Sequence, residues 1–168
     1  MNKIDLNSLQ LKIFTEQDAL DYCSINNINP DDITELYLGW NELTDISGIR
    51  LFKNLKKLWL NENKITDISD LKDLKTLIIA INKIKDISVL KYLNNLEFLG
   101  LASNQIKDIS AIQYLKNLFF LHINNLELQS DQIQYIKSLN NLKELWCHKG
   151  FKDKSVLNQL NKNIKVTK

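Results

Sequence analysis

Residues 96–117, LEFLGLASNQIKDISAIQYLKN, decide the fold of this chain. Leu96, Leu99 and Leu101 occupy the first, fourth and sixth places of a 22-residue unit. Asn104 occupies the ninth place, and Ile or Leu occupies the eleventh, fourteenth, seventeenth and twentieth. This spacing predicts one short strand followed by a helical return. Such a unit cannot bury its own apolar face, so it must stack on copies of itself.

The copies are recognised by the asparagine at the ninth place. Asn41 and Asn63 are 22 residues apart, as are Asn82 and Asn104. Asn63 and Asn82 are only 19 apart, because Leu74 serves both as the last apolar residue of one unit and as the first of the next. We therefore predict that this unit has lost three residues from its return segment and that its strand stays in register with the neighbouring strands.

The central units resemble the 22-residue class of leucine-rich repeats, as in bacterial internalins and a eukaryotic phosphatase-regulator family. The shared mark is N-x-[IL]-x-D-I-S after the strand, in ITELYLGWNELTDIS, LKKLWLNENKITDIS, LKTLIIAINKIKDIS and LEFLGLASNQIKDIS. The resemblance covers residues 33–150, although Leu126 and Gly150 replace the asparagine in the last two units. It implies an α/β solenoid, a horseshoe segment with a parallel concave sheet and short convex helices or 3-10 turns.

The chain length predicts a single domain, residues 1–168. Residues 1–32 are predicted to be an N-terminal cap, residues 33–150 the repeats and residues 151–168 a C-terminal cap, because a solenoid must cover its apolar ends. In the N-terminal cap we predict an opening strand in residues 1–14 and a helix Glu16–Ile25 that is capped by Thr15. The side chains on one side of this helix are Ala19, Leu20, Tyr22 and Cys23. In the C-terminal cap we predict a helix Asp153–Leu160 followed by Ile164–Val166. Within the last long unit, Ser130–Leu139 is predicted to be a helix with Ser130 as its cap.

Two polar residues recur in each unit. The ninth-place asparagines are predicted to turn inward and form a ladder that satisfies backbone groups in the bend. The thirteenth place carries an aspartate in four units, and we interpret it as a cap of the convex turns. A calcium site is disfavoured because these residues lie one per turn and not clustered. The four aspartates are Asp45, Asp67, Asp86 and Asp108.

Composition disfavours several partner classes. The net charge is only +2 and Arg50 is the only arginine, which argues against nucleic-acid binding. Cys23 and Cys147 are far apart, and two buried free thiols in a reducing compartment fit this spacing better than a distant disulfide. No signal-peptide pattern and no run of the roughly 20 apolar residues that span a bilayer occurs. We therefore expect a cytoplasmic protein without membrane contact, and the Lys, Asn and Ile content suggests a bacterial source.

Strand side chains alternate between the core and the concave surface, so the third, fifth and seventh places should face outward and the eighth should lie at the rim. All three tryptophans and both histidines fall on these places. Exposed aromatic residues are typical of protein interfaces. The predicted partner-binding residues are Glu35, Tyr37, Trp40, Lys57, Trp59, Ile78, Phe98, Phe120, His122, Glu144, Trp146 and His148. Between the aromatics, Gly100, Ala80 and Ala102 are expected to form a shallow middle.

We thus predict a protein-binding module, not an enzyme, with no cofactor, metal or catalytic residue, that is a monomer able to self-associate. A purely structural role, in which the aromatics only pack on one another across strands, competes with this prediction. Three further functions compete with it as well: a toxin-neutralising inhibitor or host-directed effector, a glycan or small-ligand binder, and a metal-dependent enzyme that uses His122, His148 and Glu144. No nucleotide-binding glycine motif supports a cofactor.

Overall fold

The computed structural model describes residues 2–168, so the Met1 end of the predicted cap lies outside it. Within these residues the chain forms one eight-stranded parallel sheet whose strands follow sequence order. The strands are β1 Lys3–Asp5, β2 Glu35–Tyr37, β3 Lys57–Trp59, β4 Thr76–Ile78, β5 Phe98–Gly100, β6 Phe120–His122, β7 Glu144–Trp146 and β8 Lys165–Thr167. The predicted α/β solenoid with a parallel concave sheet is confirmed.

Short helices form the convex side. These are α1 Glu16–Ile25, α2 Ile133–Lys137 and the 3-10 helices Pro30–Asp32, Ser47–Leu51, Ser88–Tyr92, Ser110–Tyr114, Ser130–Gln132 and Lys154–Gln159. No helix among residues 2–168 has the length and apolar composition needed to cross a membrane. The core is a single apolar cluster that runs the length of the sheet, with the fourth-place leucines at its centre and fully buried.

The 19-residue unit keeps its strand in register, as predicted. Leu58 of β3 pairs with Leu77 of β4, and Leu77 pairs in turn with Leu99 of β5. The three missing residues come from the convex return, where the neighbouring units have a 3-10 helix and residues 64–73 have none. The strands are shorter than the span from the third to the seventh place that the repeat pattern predicts. They run from the third to the fifth place, although hydrogen bonds continue further, as from Trp40 N to Asn61 O (2.9 Å).

The asparagine ladder is confirmed. Asn63 Oδ1 accepts from the backbone N–H of Leu43 in the preceding unit (2.9 Å), and Nδ2 donates to the carbonyls of Leu38 (2.9 Å) and Leu60 (3.1 Å). The same pattern recurs at Asn82 and Asn104. Each amide therefore joins two units and satisfies backbone groups that would otherwise be buried without partners.

The predicted capping role of the thirteenth-place aspartates is wrong, because they lie one residue before the cap position. Each accepts a hydrogen bond from the backbone N–H of the serine two residues later, at 2.7 or 2.8 Å. The cap residue of the 3-10 helices is the intervening isoleucine, which has no side-chain cap. The aspartate therefore forms a tight turn that leads into the 3-10 helix in three units, and the 19-residue unit has the same turn at Asp67 without a helix.

Both predicted caps contribute strands to the same sheet. In β1, Ile4 pairs with Leu36, and Ser8 adopts a left-handed φ of 59°. Residues 3–8 therefore follow the third to eighth places of a repeat. The residues that follow this segment are bound to the first repeat by Asn41, whose Oδ1 accepts hydrogen bonds from the backbone N–H groups of Leu9 and Leu11, both at 3.0 Å. At the other end, β8 pairs with β7.

Several details of the caps differ from prediction. Helix α1 and its Thr15 cap are confirmed, and Asp18 completes a capping box. Leu20, however, is exposed, because Ala19 and Cys23, one turn apart, take the buried face. The predicted strand alternation in residues 1–14 fails after Leu6, because left-handed residues at Ser8 and Gln10 turn Leu9 and Ile13 outward.

The predicted helices near the C-terminal end are partly wrong. Residues 130–139 begin with a 3-10 turn before α2, and Gln129, not Ser130, is the cap residue, without a side-chain bond. Residues 154–159 form a 3-10 helix, not an α-helix, and Asp153 caps it by accepting from Ser155 N (2.8 Å). Ile133, Ile136 and Leu139, which helical spacing places on the inner side of the predicted helix, are all buried.

Candidate concave binding surface

The parallel register brings the third and fifth places of every unit onto one face. Glu35, Lys57, Thr76, Phe98, Phe120 and Glu144 form one row, and Tyr37, Trp59, Ile78, Gly100, His122 and Trp146 form the next. The intervening leucine of each strand is fully buried, so the two rows point away from the core. Of the predicted site residues, only Trp40, at the rim, and His148, at the seventh place, lie outside these rows.

The aromatic residues at the β2–β3 end are held in place by one another and by charges. The rings of Tyr37 and Trp59 stack with centroids 4.1 Å apart and planes 4° from parallel. Lys3 Nζ lies 3.9 Å from the centre of the Tyr37 ring. This stacking fixes the orientation of two large aromatic rings at the sheet face.

The charged residues at this end are paired. Lys57 Nζ donates to Glu35 Oε1 (2.9 Å), and the Tyr37 hydroxyl donates to Glu35 Oε2 (3.1 Å). The hydrogen bond from Lys57 is the main cause that lowers the pKa of Glu35, while burial is the main cause that raises the pKa of Tyr37. Glu35 is therefore ionised and Tyr37 neutral at pH 7.

The shallow middle predicted at Gly100, Ala80 and Ala102 is not open at Gly100. Gly100 is buried because the Ile78 side chain covers it. A Cβ at Gly100 would lie 3.1 Å from Ile78 Cδ1. The depression lies instead beside this position and has a volume of about 440 Å³. Its lining is mostly apolar and consists of Lys57, Trp59, Thr76, Ile78, Phe98 and Phe120.

At the β6–β7 end, Trp146 organises the surface. Its ring meets Phe120 edge-on (centroids 5.2 Å apart) and His122 likewise (5.3 Å). Its Nε1–H donates to Glu144 Oε1 (3.0 Å), which also accepts from Lys165 Nζ (3.1 Å). These bonds hold the pKa of Glu144 below its usual value, the Trp146 bond most.

His122 is poorly placed for catalysis or metal binding. Its Nε2 atom is buried and has no hydrogen-bond partner among residues 2–168. Burial lowers the pKa of His122, so the ring is neutral at pH 7. Cys147 lies on the opposite, core side of β7, where burial raises the pKa of its thiol. Across the part of the chain that the structure describes, no group of three or more His, Cys, Asp or Glu side chains is arranged to hold a metal ion.

The rim of the face has strained backbone. The eighth-place residues all have a positive φ, between 50° and 60°, and they are Trp40, Glu62, Ile81, Ser103, Asn125 and Lys149. This conformation suits Gly, Asn and Asp and is unfavourable for large or β-branched side chains. Trp40 and Ile81 nevertheless occupy it, with 53% and 50% of their surface exposed.

Sequence reasoning missed Phe119. It lies at the second place, just before β6, and is 45% exposed. Its ring centre is 6.0 Å from that of Phe98, which is itself 40% exposed. Phe119 thus extends the aromatic surface over the strand edge. The doublet Phe119–Phe120 was the available signal, since neither residue occupies an inward place of the repeat.

Comparison with known proteins identifies the repeats. The family described as "Leucine Rich repeats (2 copies)" matches residues 31–73 and 72–114, which together make half of the chain. The chain belongs to the leucine-rich repeat family. This confirms the resemblance drawn from the N-x-[IL]-x-D-I-S units. None of the curated protein sequences matches the chain significantly.

Solved leucine-rich repeat structures resemble the whole chain. An internalin (inlF) from Listeria monocytogenes is 28% identical with a TM-score of 0.82, and the match covers 99% of this chain and 47% of that one. Internalin C2 of the same organism is 26% identical with a TM-score of 0.76, covering 99% and 80%. A leucine-rich repeat protein of Leptospira interrogans is 25% identical with a TM-score of 0.75, covering 99% and 42%. This chain therefore spans about half the length of the first relative.

These likenesses are to bacterial proteins, which agrees with the bacterial source suggested by composition. Leucine-rich repeat folds of this kind commonly mediate protein–protein interaction. The fold alone does not identify the partner or the surface that binds it.

Proposed function

We propose that this chain binds a protein partner through its concave face, without catalysis. The observation that carries the proposal is a run of aromatic side chains along the sheet face and rim, each half-buried or exposed, and these are Tyr37, Trp40, Trp59, Phe98, Phe120 and Trp146. We call these six residues the aromatic stripe. Large exposed apolar patches are uncommon on proteins that have no partner, and Trp and Tyr are enriched among residues that dominate binding energy.

The rim supports a binding role over a purely structural one. Trp40 and Ile81 adopt left-handed backbone at a cost of about 1–2 kcal/mol each, and about half of the surface of each residue nevertheless remains exposed to solvent. Residues in strained backbone conformations of this kind cluster at functional sites. A sheet that used its aromatics only for cross-strand packing would have no reason to keep a bulky side chain at these two places.

The charges of the face suggest the chemistry of the partner. Glu35 pairs with Lys57 and Glu144 with Lys165, so the charged residues at the two ends of the stripe are already neutralised. Exposed pairs of this kind contribute little energy and break easily. We therefore propose that the partner contributes mainly apolar side chains at the contact, with Glu35, Lys57, His122, Glu144 and His148 serving as a polar border. Binding should depend only weakly on salt concentration.

Affinity capture from the native cell lysate tests this proposal. The test variant is Trp59→Ala/Phe98→Ala, which opens the central depression. A matched control is Tyr92→Ala/Tyr114→Ala, which removes two exposed aromatics from the ends of convex 3-10 helices. We expect a protein that is retained by wild type and control but lost by the test variant, with all three chains still folded. Trp59→Ala alone should weaken binding by about 2 kcal/mol or more.

The proposal fails if the stripe variant retains the same proteins as wild type, or if the convex control loses them. Circular dichroism melts of each variant show whether a loss of binding reflects unfolding.

Several finer assignments stay predictions. These are the division into caps and repeats at residues 32 and 150, the monomeric state, the cytoplasmic location and the absence of nucleic-acid or membrane partners.

A further inference from the structure

The convex side has a gap at the 19-residue unit. Helix α1 packs against the 3-10 helix Ser47–Leu51, and the 3-10 helices Ser88–Tyr92 and Ser110–Tyr114 pack against each other. Between these pairs, residues 64–73 form only a single turn, in which Leu71 N–H donates to Ile68 O (3.2 Å). The three deleted residues therefore leave a notch in the convex layer, on the opposite side of the core from the aromatic stripe.

A cavity of about 170 Å³ opens at this notch. Phe52, Leu55, Leu58, Leu71 and Leu74 lie at its apolar floor and walls, and each exposes 5% or less of its surface. An engineered apolar cavity of about 150 Å³ is known to hold benzene. The space therefore suits a single six-membered ring or a short branched aliphatic chain.

The lining of the cavity carries a net charge of +1. Arg50 forms an ion pair with Asp70, so these two charges offset each other. Lys53 and Lys72 also line the mouth, and neither makes an ion pair among residues 2–168. With Asp73 included, the lining carries three cations and two anions. Lys53, Lys72 and Asp73 are therefore the charged lining residues without an ion pair among residues 2–168, and they adjoin the apolar floor.

We propose that this convex cavity binds a small monocarboxylate with one aromatic ring or a short branched chain. The apolar part enters between Phe52 and Leu71, and the carboxylate remains at the mouth beside Lys53 and Lys72. An apolar pocket with a few polar groups that fix orientation is the usual form of a small-ligand site. The proposal does not depend on the aromatic stripe, because the two surfaces share no lining residue.

A titration of the ¹⁵N-labelled chain with phenylacetate, followed by NMR, tests it. Phenylacetate should cause saturable shifts at the amides of residues 49–55 and 70–74 and leave the amides of the concave strands unchanged. Benzyl alcohol, which lacks the charge, and acetate, which lacks the ring, should bind more weakly. Lys53→Gln/Lys72→Gln should weaken phenylacetate binding about fivefold, whereas Lys116→Gln/Lys137→Gln, at exposed lysines outside the cavity, should not.

Leu71→Phe should abolish binding by filling the space, provided that the variant still melts cooperatively. If Leu71→Phe does not fold, the Lys53→Gln/Lys72→Gln variant tests the proposal instead, because both lysine side chains are exposed and lie outside the core. The absence of saturable shifts at the notch up to about 10 mM phenylacetate, equivalent to binding weaker than about 3 kcal/mol, would overturn the proposal. Equal affinity for benzyl alcohol, or an unchanged affinity in the lysine variant, would also overturn it.

Discussion

The eighth and ninth places of the repeat are adjacent in the chain, but their side chains are under different structural constraints. At the ninth place, Asn41, Asn63 and Asn82 are buried and each joins two units through its amide. At the eighth place the side chains point outward, and their identities vary from Ser103 to Trp40 although the backbone is the same left-handed turn. The ninth place is constrained by the fold. The eighth is free to carry binding chemistry, even at a cost in stability.

The largest effect should come from breaking the ladder. Asn63→Ala leaves the Leu43 N–H and the Leu38 and Leu60 carbonyls without their side-chain partner, in a bend that excludes water. We expect it to lower the free energy of unfolding by about 2–3 kcal/mol. Urea denaturation measures the change. Glu62→Asn, at the neighbouring eighth place, is the matched control and should not destabilise; an equal loss at both places would remove the distinction between them.

A smaller effect of opposite sign is expected at the rim. Ile81→Asn replaces a β-branched side chain in left-handed backbone by the residue that tolerates this conformation best after glycine. The free energy of unfolding should rise by about 1 kcal/mol. Ile79→Asn, two residues earlier but fully buried, should destabilise strongly. If Ile81→Asn lowers stability instead, the Ile81 side chain serves the fold and the argument from strain is wrong.

The smallest effect concerns His122. Burial lowers the pKa of His122 in the folded state below the ordinary value of 6.5, so the unfolded chain binds more protons as the solution becomes acidic. The stability is therefore complete above pH 6.5 and declines as pH falls from 6.5 towards the lower folded pKa. His122→Gln should remove this loss of stability at acidic pH. The control variant, His148→Gln, changes an exposed histidine and should lose stability at acidic pH as wild type does. Urea titrations between about pH 7.5 and pH 5 compare the three chains.

Much of the fold could be predicted because the repeat fixes it. The inward leucines, the asparagine ladder and the register across the 19-residue unit all follow from spacing. The caps were harder, since β1 has no ninth-place asparagine to mark it as a repeat turn. Its apolar residues Ile4 and Leu6 do stand at the fourth and sixth places, so the signal was present but short.

The concave surface was predictable only as a set of outward places. Strand alternation places Trp59 and Phe98 on the face, but it does not show that Ile78 covers Gly100 or that the depression lies beside it. Those features depend on side-chain conformations. The same limit explains why Phe119 was missed, because its exposure results from the way the chain enters β6.

The most direct test of the account is lysate capture with the double variant Trp40→Asn/Ile81→Asn, measured together with its unfolding free energy. These changes remove two exposed apolar side chains from the rim and relieve backbone strain at both positions. The account predicts a chain that is more stable than wild type and that retains less of the captured partner. A more stable chain that retains the partner as well as wild type does would contradict the claim that the concave rim is kept for binding.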